Sequence, residues 1–238
     1  MDRIVNKTPA RIAAMFDAIA ERYDVLNSVL TLGFDARWRM RAVQSLRLTG
    51  SETVLDLCTG TADVSVALTR RFPCAARVIG IDFSTEMLRK GLQKCNAMDL
   101  SRRVHLLRAD AIQLPLPANS VDAVTVAFGI RNVEDMDGAL QEIYRVTRPK
   151  GRIAILEFGT PRIPGVRDCY AFYFRRVLPF IGRIVSGHDS AYTYLPASVA
   201  DFPSGASFCR RLESGGFCEV KATSLHFGIL YLYEGVRT

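Results

Sequence analysis

The chain has 238 residues, 49% of them hydrophobic and 23% charged, which fits one larger domain more easily than two and is ordinary for a soluble globular protein. The charge-interrupted N-terminus has no apolar stretch of signal-peptide type, and no run of eighteen apolar residues occurs, which argues against a signal peptide and a membrane-spanning helix. A net charge of +7 and a pI near 9.3 point to an anionic partner, whether nucleotide cofactor, acidic membrane surface or nucleic acid, and do not choose among them.

Two helical segments open the chain. Pro9 to Leu30 places Ile12, Met15, Phe16, Ile19 and Tyr23 at helical spacings, and DARWRMRAVQSLRL repeats the pattern with Trp38 and Val43, so residues 1–50 are predicted to form a helical cap. From Thr53 short β-rich runs alternate with helical ones: TVLDL, VIGID, VHLLRAD, VDAVTVAF and RIAILEF. That alternation predicts an α/β fold, a doubly wound, mostly parallel sheet with helices on both faces, over residues 51–160. Ser84 and Glu86 open one of the helices, and Asp135 and Asp137 another that RPKG ends. After Phe158 the pattern breaks into an aromatic, basic insertion over residues 161–200. A last helix, SFCRRLESGGF, and two strands then close a seven-stranded sheet within a single 1–238 domain.

The six cysteines, Cys58, Cys74, Cys95, Cys169, Cys209 and Cys218, form no CxxC pair and read as reduced thiols in a cytosolic protein, with no ligand spacing for a metal.

Parallel sheets bind ligands at the carboxyl ends of their strands, and the first strand-to-helix turn carries the cofactor loop. Here that turn is DLCTGTAD. Gly60 is its only glycine, and Asp56 and Asp63 would repel a pyrophosphate, so a cofactor bearing positive charge fits better than a dinucleotide. Asp56 reads equally well as a cap of the following helix. Asp82, with Phe83 beside it, ends the second strand where an acidic side chain grips the hydroxyls of a ribose. Asp110 ends the third, placed to accept from the amine of adenine, and Ala111 leaves room for the ring. Acids after three successive strands favour S-adenosylmethionine, a sulfonium, over NAD.

The segments FDAIAERYDVLNSVLTLGFDARWR, VLDLCTGTAD, IGIDFSTEML, AFGIRNVEDMDGALQEIYRV, ILEF and AYTYLP together resemble the quinone-biosynthesis C-methyltransferases, which methylate the ring of menaquinone or ubiquinone precursors. The resemblance covers nearly the whole chain and implies a Rossmann-like class I methyltransferase. It implies cofactor contacts at Thr61, Asp82, Asp110 with Ala111, and Ala127. Departures are Ala62 where the family usually has Gly, RPKG for the commoner KPGG, and Ala127 and Gly159 where Ser is common. A Cβ at Ala62 disfavours positive φ and is expected to loosen the hold on the methionine without removing the site.

Under that resemblance the end of the fourth strand faces the methyl group and an electron-rich quinol ring. Arg131, protonated at any working pH, is then cast as stabiliser of the developing phenolate, and Asn132 as a holder of the hydroxyl or an ordered water. Tyr23 closes over the ring from the cap and helps position or relay the proton, with Asp17 and His188 as weaker candidates. The bland alternatives are a salt bridge from Arg131 to Glu134 or Asp135, and core packing for Tyr23. His105 and His226 read as structural.

The substrate implied is a prenylated quinol, demethylmenaquinol ahead of the benzoquinol of the ubiquinone series. YAFYFRRVLPFIGRIV has the composition of an interfacial helix and equally that of a core helix with a basic solvent face; on the first reading, peripheral attachment to an anionic membrane, on the inner face of the cytoplasmic membrane, is expected beside a cytoplasmic location. Without a basic tail or aromatic-basic RNA motif, nucleic acid is not expected. The sequence leaves open whether the chain forms a homo-oligomer.

Overall fold

The computed structural model describes residues 7–72, 77–161, 163–173, 176 and 189–238. Its centre is a seven-stranded sheet in the order β3-β2-β1-β4-β5-β7-β6. The strands are β1 Thr53–Leu57, β2 Arg77–Asp82, β3 Val104–Arg108, β4 Val121–Ala127, β5 Thr147–Phe158, β6 Phe217–Leu225 and β7 Leu230–Arg237. Only β7 runs against its neighbours, closing the sheet as a hairpin with β6. The sheet is mostly parallel, with helices around it, as the alternating pattern predicts.

Strands β1 and β4 sit in the middle, buried on both faces, so they read as mostly apolar runs without regular polar alternation, interrupted by Asp56 in β1 and by Asp122 and Thr125 in β4. Successive residues feed opposite layers. Ile153 and Ile155 of β5 join Leu55, Leu57, Ile143 and Phe208 on one face, whereas Ala154 and Leu156 join Val54, Leu68, Val43 and Trp38 on the other. Each such fully buried aliphatic side chain stabilises the fold by roughly 1.5–3 kcal/mol.

Residues RPKG do not end the helix before them by leaving the sheet. They lie inside β5, whose pairing with β4 shifts register between Val121 and Ala123.

The cap departs from the single helix predicted over Pro9 to Leu30. Helix α1, Pro9–Ile19, ends in a short 3-10 turn at Ala20–Arg22 before α2, Tyr23–Leu30, and α3, Phe34–Ser45, begin. The reason is the partner element, α5, Thr85–Ala97, along which the cap lies. Asp17 accepts from Ser84 Oγ at 2.5 Å and from Glu86 N at 3.0 Å, Glu21 pairs with Arg89 and Lys90, and Asp24 pairs with Lys94 at 2.7 Å. The break keeps all three acids within reach of α5, and Tyr23, just past it, turns inward. The remaining helices are α4 Asp63–Arg71, α6 Met136–Val146, α7 Val166–Phe172, α8 Asp189–Asp201 and α9 Ala206–Ser214.

Strand order reverses between β1 and β4, so their carboxyl ends flank the crevice where ligands bind in sheets of this kind.

Candidate active site

The loop after β1 is wound tightly. Cys58, Gly60 and Ala62 all take left-handed backbone, at φ 57°, 55° and 66°. Thr59 N donates to Ile81 O at 3.0 Å, tying the loop to β2. Gly60 N then donates to one oxygen of Asp82 at 2.8 Å, while Ser84 N donates to the other at 2.9 Å. Asp82 is thereby fixed across two loops. Burial pushes its carboxyl above the ordinary range, opposed by these N–H donors.

Asp82 lines a cavity of about 140 Å³ together with Gly60, Phe83, Asp110, Ala111 and Ala127. Lys7, Pro9, Ile12 and Phe16 of the cap roof it. A Cβ built on Gly60 meets nothing within 4 Å, so it would fill the space a ligand needs. Asp110 makes its own turn, accepting from Ile112 N at 3.2 Å. With Glu134 and Asp135 also in the wall, the cavity is acidic. Carboxylates for hydroxyls and an amine, a bare glycine and negative surroundings fit the nucleoside and sulfonium of S-adenosylmethionine.

Three residues expected in this site lie elsewhere. Asp56 points into the loop, accepting from Thr59 Oγ1 and Ser65 Oγ, each at 2.7 Å, and burial pushes it up to about 6. It holds the start of α4, the helix-capping alternative. Asp63 is paired with Arg39 at 3.0 Å and with Lys94 at 2.5 Å, and Thr61 Oγ1 donates to Asp24 at 2.5 Å. None of the three lines the cavity. The negative charge that faces a ligand therefore comes from Asp82, Asp110, Glu134 and Asp135, not from Asp56 and Asp63.

A second cavity, about 420 Å³ and mostly apolar, lies under the cap. Met15, Ile19, Leu26, Trp38, Phe158 and Leu195 contribute to its wall. Phe16, Tyr23 and Phe128 line both cavities and form the partition between them. Phe128 follows β4 at φ 62°, a conformation costly for a bulky residue, held by its N–H donating to Leu156 O at 2.8 Å. Its ring packs on Phe158 with centroids 4.8 Å apart. Sequence patterning marks no such residue, because positive φ leaves no signature in a Phe.

Arg131 sits in the short 3-10 turn Ile130–Asn132 and lines the larger cavity. Neither Glu134 nor Asp135 is its partner. Its NH1 donates to Glu157 at 2.6 Å and to Phe128 O at 2.5 Å, and its guanidinium lies 5.7 Å from the centre of the Phe158 ring. Nε of Arg131 is buried without a partner. Glu157 is 0% exposed, accepts also from Phe158 N at 2.8 Å, and is pushed up by burial against the pull of Arg131. Its signal was a lone carboxylate within the apolar run of β5, present in ILEF and not assigned a role.

Asn132 lines the smaller cavity and accepts from Tyr194 OH at 3.0 Å. Tyr23 stands edge-on to Phe16, 6.1 Å apart, and burial pushes its phenol up, while a hydrogen bond with Asn27 opposes the shift. It is a phenol at any working pH, not a phenolate base. His226, expected to be structural, lines the mouth of the larger cavity, where its Nδ1 accepts from Trp38 Nε1 at 3.1 Å. Asp17, engaged at the start of α5, faces neither cavity. His105 is exposed on the edge strand β3. His188 lies outside the described residues, as do Phe174, Arg175, Leu178, Phe180, Ile181 and Arg183 of the expected interfacial helix.

The ubiE/COQ5 methyltransferase family model matches residues 4–237. A "Ubiquinone/menaquinone biosynthesis C-methyltransferase UbiE" of Geotalea daltonii is 43% identical over 227 residues, covering 95% of this chain and 96% of that one. A "Demethylmenaquinone methyltransferase" of Thermus thermophilus is 44% identical, covering 94% of this chain and 100% of that one. Among solved structures, a SAM dependent methyltransferase from Aquifex aeolicus superposes with a TM-score of 0.61 at 20% identity, over 84% of this chain and 89% of that one. A SAM-dependent methyltransferase from Thermotoga maritima gives 0.65 at 18% identity, over 95% and 100%. These two share the fold. With a full-length family match and relatives this similar over nearly their whole length, the chain belongs to the ubiE/COQ5 methyltransferase family of S-adenosylmethionine-dependent C-methyltransferases.

Proposed function

We propose that this chain methylates a ring carbon of a prenylated quinol, with demethylmenaquinol as acceptor and menaquinol as product. The observation that carries the reading is the shared partition: an acid-lined cavity and a large apolar one meet at Phe16, Tyr23 and Phe128. S-adenosylmethionine supplies an electrophilic methyl group. Asp82 takes the ribose hydroxyls, Asp110 the adenine amine, and Gly60, Phe83, Ala111 and Ala127 shape the space around them.

A ring carbon becomes nucleophilic only when a neighbouring hydroxyl is ionised or partly so. Arg131 stabilises that oxygen from the part of its guanidinium that lines the larger cavity, with Glu157 and Phe128 O fixing its NH1. Asn132 and Tyr23 orient the hydroxyl; Tyr23 keeps its proton and acts as a donor. Holding two reactants in line supplies roughly 7–11 kcal/mol of the barrier reduction, and the partition is where that alignment would be set.

The double name of the Geotalea relative favours a second reading, a benzoquinol acceptor or both rings. Transfer of labelled methyl to reduced demethylmenaquinone in detergent, beside the benzoquinol precursor and bulk RNA, tests the proposal. Label in the naphthoquinol alone is expected; label in both rings makes the enzyme dual, and label in neither quinol overturns the substrate assignment.

We infer further that the mouth of the apolar cavity meets a membrane. Leu32, which lines that cavity, is 84% exposed, and Phe172 and Phe227, next in the chain to its lining residues Tyr173 and His226, are 63% and 69% exposed; Arg37 lies 5.5 Å from the ring of Phe34, also in the lining. No helix among the described residues is long and apolar enough to cross a membrane. The wild-type protein is expected to co-sediment with anionic liposomes at low salt, and Leu32→Asp combined with Phe227→Asp to remain in the supernatant. A wild type that stays in the supernatant sinks the docking idea and leaves the methyl-transfer assay untouched.

A further inference from the structure

The opposite end of the sheet carries a third cavity, of about 250 Å³, at the amino ends of β1, β4 and β5. Arg47, Arg148, Lys150 and Arg152 line it with Glu52 and Asp122. Both carboxylates are already used by the fold. Asp122 accepts from Arg148 and from Thr53 N at 2.8 Å, and Glu52 accepts from Thr49 N at 2.7 Å and Gly50 N at 2.6 Å. The side chains of Arg47, Lys150 and Arg152 have no hydrogen-bond or ion-pair partner among the described residues, though the Arg47 backbone N–H donates to Gln44 O at 3.1 Å. Three uncommitted cations therefore face one small space.

The backbone makes this arrangement more than a solvated basic surface. Arg47 has φ 51° and Lys150 φ 65°, left-handed conformations that a glycine adopts freely and a long side chain does not. Lys150 occupies the position of the first glycine in the commoner KPGG. Strained non-glycine residues persist where the surroundings over-determine them, and they cluster at ligand sites. Here both strained residues contribute a charge to the same cavity.

We propose that this cavity binds a multiply charged anion of the phosphate class. Guanidinium groups present paired N–H donors that match phosphate oxygens, and an ammonium adds a mobile point charge. Asp122 and Glu52 are already held by Arg148 and by the backbone N–H groups of Thr53, Thr49 and Gly50. No aromatic side chain among the described residues lines the cavity, so the recognition is of charge and not of a stacked base. Asp122 is the second residue of β4 and Ala127 the last, which puts this cavity most of a strand length, roughly 17 Å, from the methyl-transfer partition. The site shares no lining residue with either substrate cavity.

Phosphate of this kind comes either from a soluble ester or from a lipid headgroup, and the test separates them. Pyrophosphate is titrated calorimetrically into the full chain at low salt and again at 0.5 M salt, as roughly a screened condition, with phosphatidylglycerol vesicles run in parallel. Saturable, salt-sensitive binding is expected in the wild type. Lys150→Gly, which relieves the positive φ and leaves the fold at least as stable, is expected to weaken it roughly tenfold, and Arg47→Gln to do the same, with methyl transfer unchanged in both. Competition between pyrophosphate and vesicles would assign the phosphate to lipid; pyrophosphate binding that vesicles do not compete away assigns it to a soluble ester, whether or not the vesicles bind elsewhere on the chain. Absence of pyrophosphate binding, or binding that both variants retain, overturns the site.

Discussion

The two cavities that meet at Phe128 are built in opposite ways. The smaller one is made by neighbours in the sheet: Asp82 and Ala127 end parallel strands, Gly60 and Asp110 follow others, and backbone N–H groups hold Asp82 in place. The larger one is made by elements far apart in the chain, with the cap, α7, α8 and the β6–β7 hairpin each contributing a few side chains. A site fixed by strand ends tolerates little variation in geometry. A site assembled from separate helices takes its shape from packing, and the same fold can therefore keep one cofactor while changing the acceptor.

The sharpest way to break that comparison is through Arg131, the one charged group that reaches the larger cavity from a strand end. Arg131→Ala is expected to lower kcat about 10²–10³-fold with little change in KM for the cofactor. Glu157→Gln keeps an oxygen for NH1 of Arg131 and should cost only about tenfold in kcat, because it loosens the orientation and not the charge. Glu157→Ala removes the partner from a buried guanidinium and is expected to destabilise the fold by about 3–5 kcal/mol. Steady-state kinetics with thermal unfolding separate the three. If Glu157→Gln fell as far as Arg131→Ala, the glutamate would be more than a positioning group.

On the other side of the partition, Asp82→Asn should weaken S-adenosylhomocysteine roughly 10²-fold by calorimetry, since two charge-assisted hydrogen bonds to hydroxyls are lost. Binding of an unreactive quinol analogue should stay within about twofold of wild type. Coupled losses at both sites would mean that the cavities are one.

These differences also explain what could be read beforehand. Asp82, Asp110 and Gly60 were legible because a strand end followed by an acid or a glycine is a local pattern with one structural meaning. Asp56, Asp63 and Thr61 share the same loop and look equally eligible, yet their side chains turn to Ser65, Arg39, Lys94 and Asp24. Direction within a loop is set by φ, and neither Cys58 nor Ala62 announces a positive one. Glu157 and His226 escaped for another reason. Their roles come from contact with residues 26 and 188 positions away, which no periodicity reports.

Asp56 gives a smaller effect that checks its reassignment. Its folded pKa of about 6 lies above the ordinary 3.8, so the folded state holds the proton more tightly than the unfolded chain. Stability from this group is complete below pH 3.8 and is lost as pH rises through about 6. Asp56→Asn keeps an acceptor for Thr59 and Ser65 without the charge. Relative to wild type it should gain stability across that window and level off above it, by at most about 3 kcal/mol, with cofactor binding preserved. A variant that folds at every pH but fails to bind S-adenosylhomocysteine would return Asp56 to the site.

The smallest effect concerns Ala62, where a Cβ was expected to loosen the hold on the methionine. The residue does take positive φ, 66°, but its side chain is fully buried in the core beside Val54 and Leu68, on the α5 side of the loop and away from the cavity. A Cβ added at Gly91 of α5 would stand 3.2 Å from it, which shows how close that packing is. Replacing Ala62 by Gly relieves about 1–2 kcal/mol of left-handed strain. It also gives up a buried methyl worth about 0.8 kcal/mol and admits a further 0.5–1 kcal/mol of unfolded-state entropy, to order of magnitude. The terms nearly cancel, so the melting temperature should move by only a few degrees. Because the methyl group faces the core, S-adenosylhomocysteine affinity should stay within about twofold. A tenfold tightening in Ala62→Gly would mean that strain in the loop is transmitted to Gly60 and relieved at the expense of the ligand, making the loop backbone and not Asp82 the limiting part of the cofactor site.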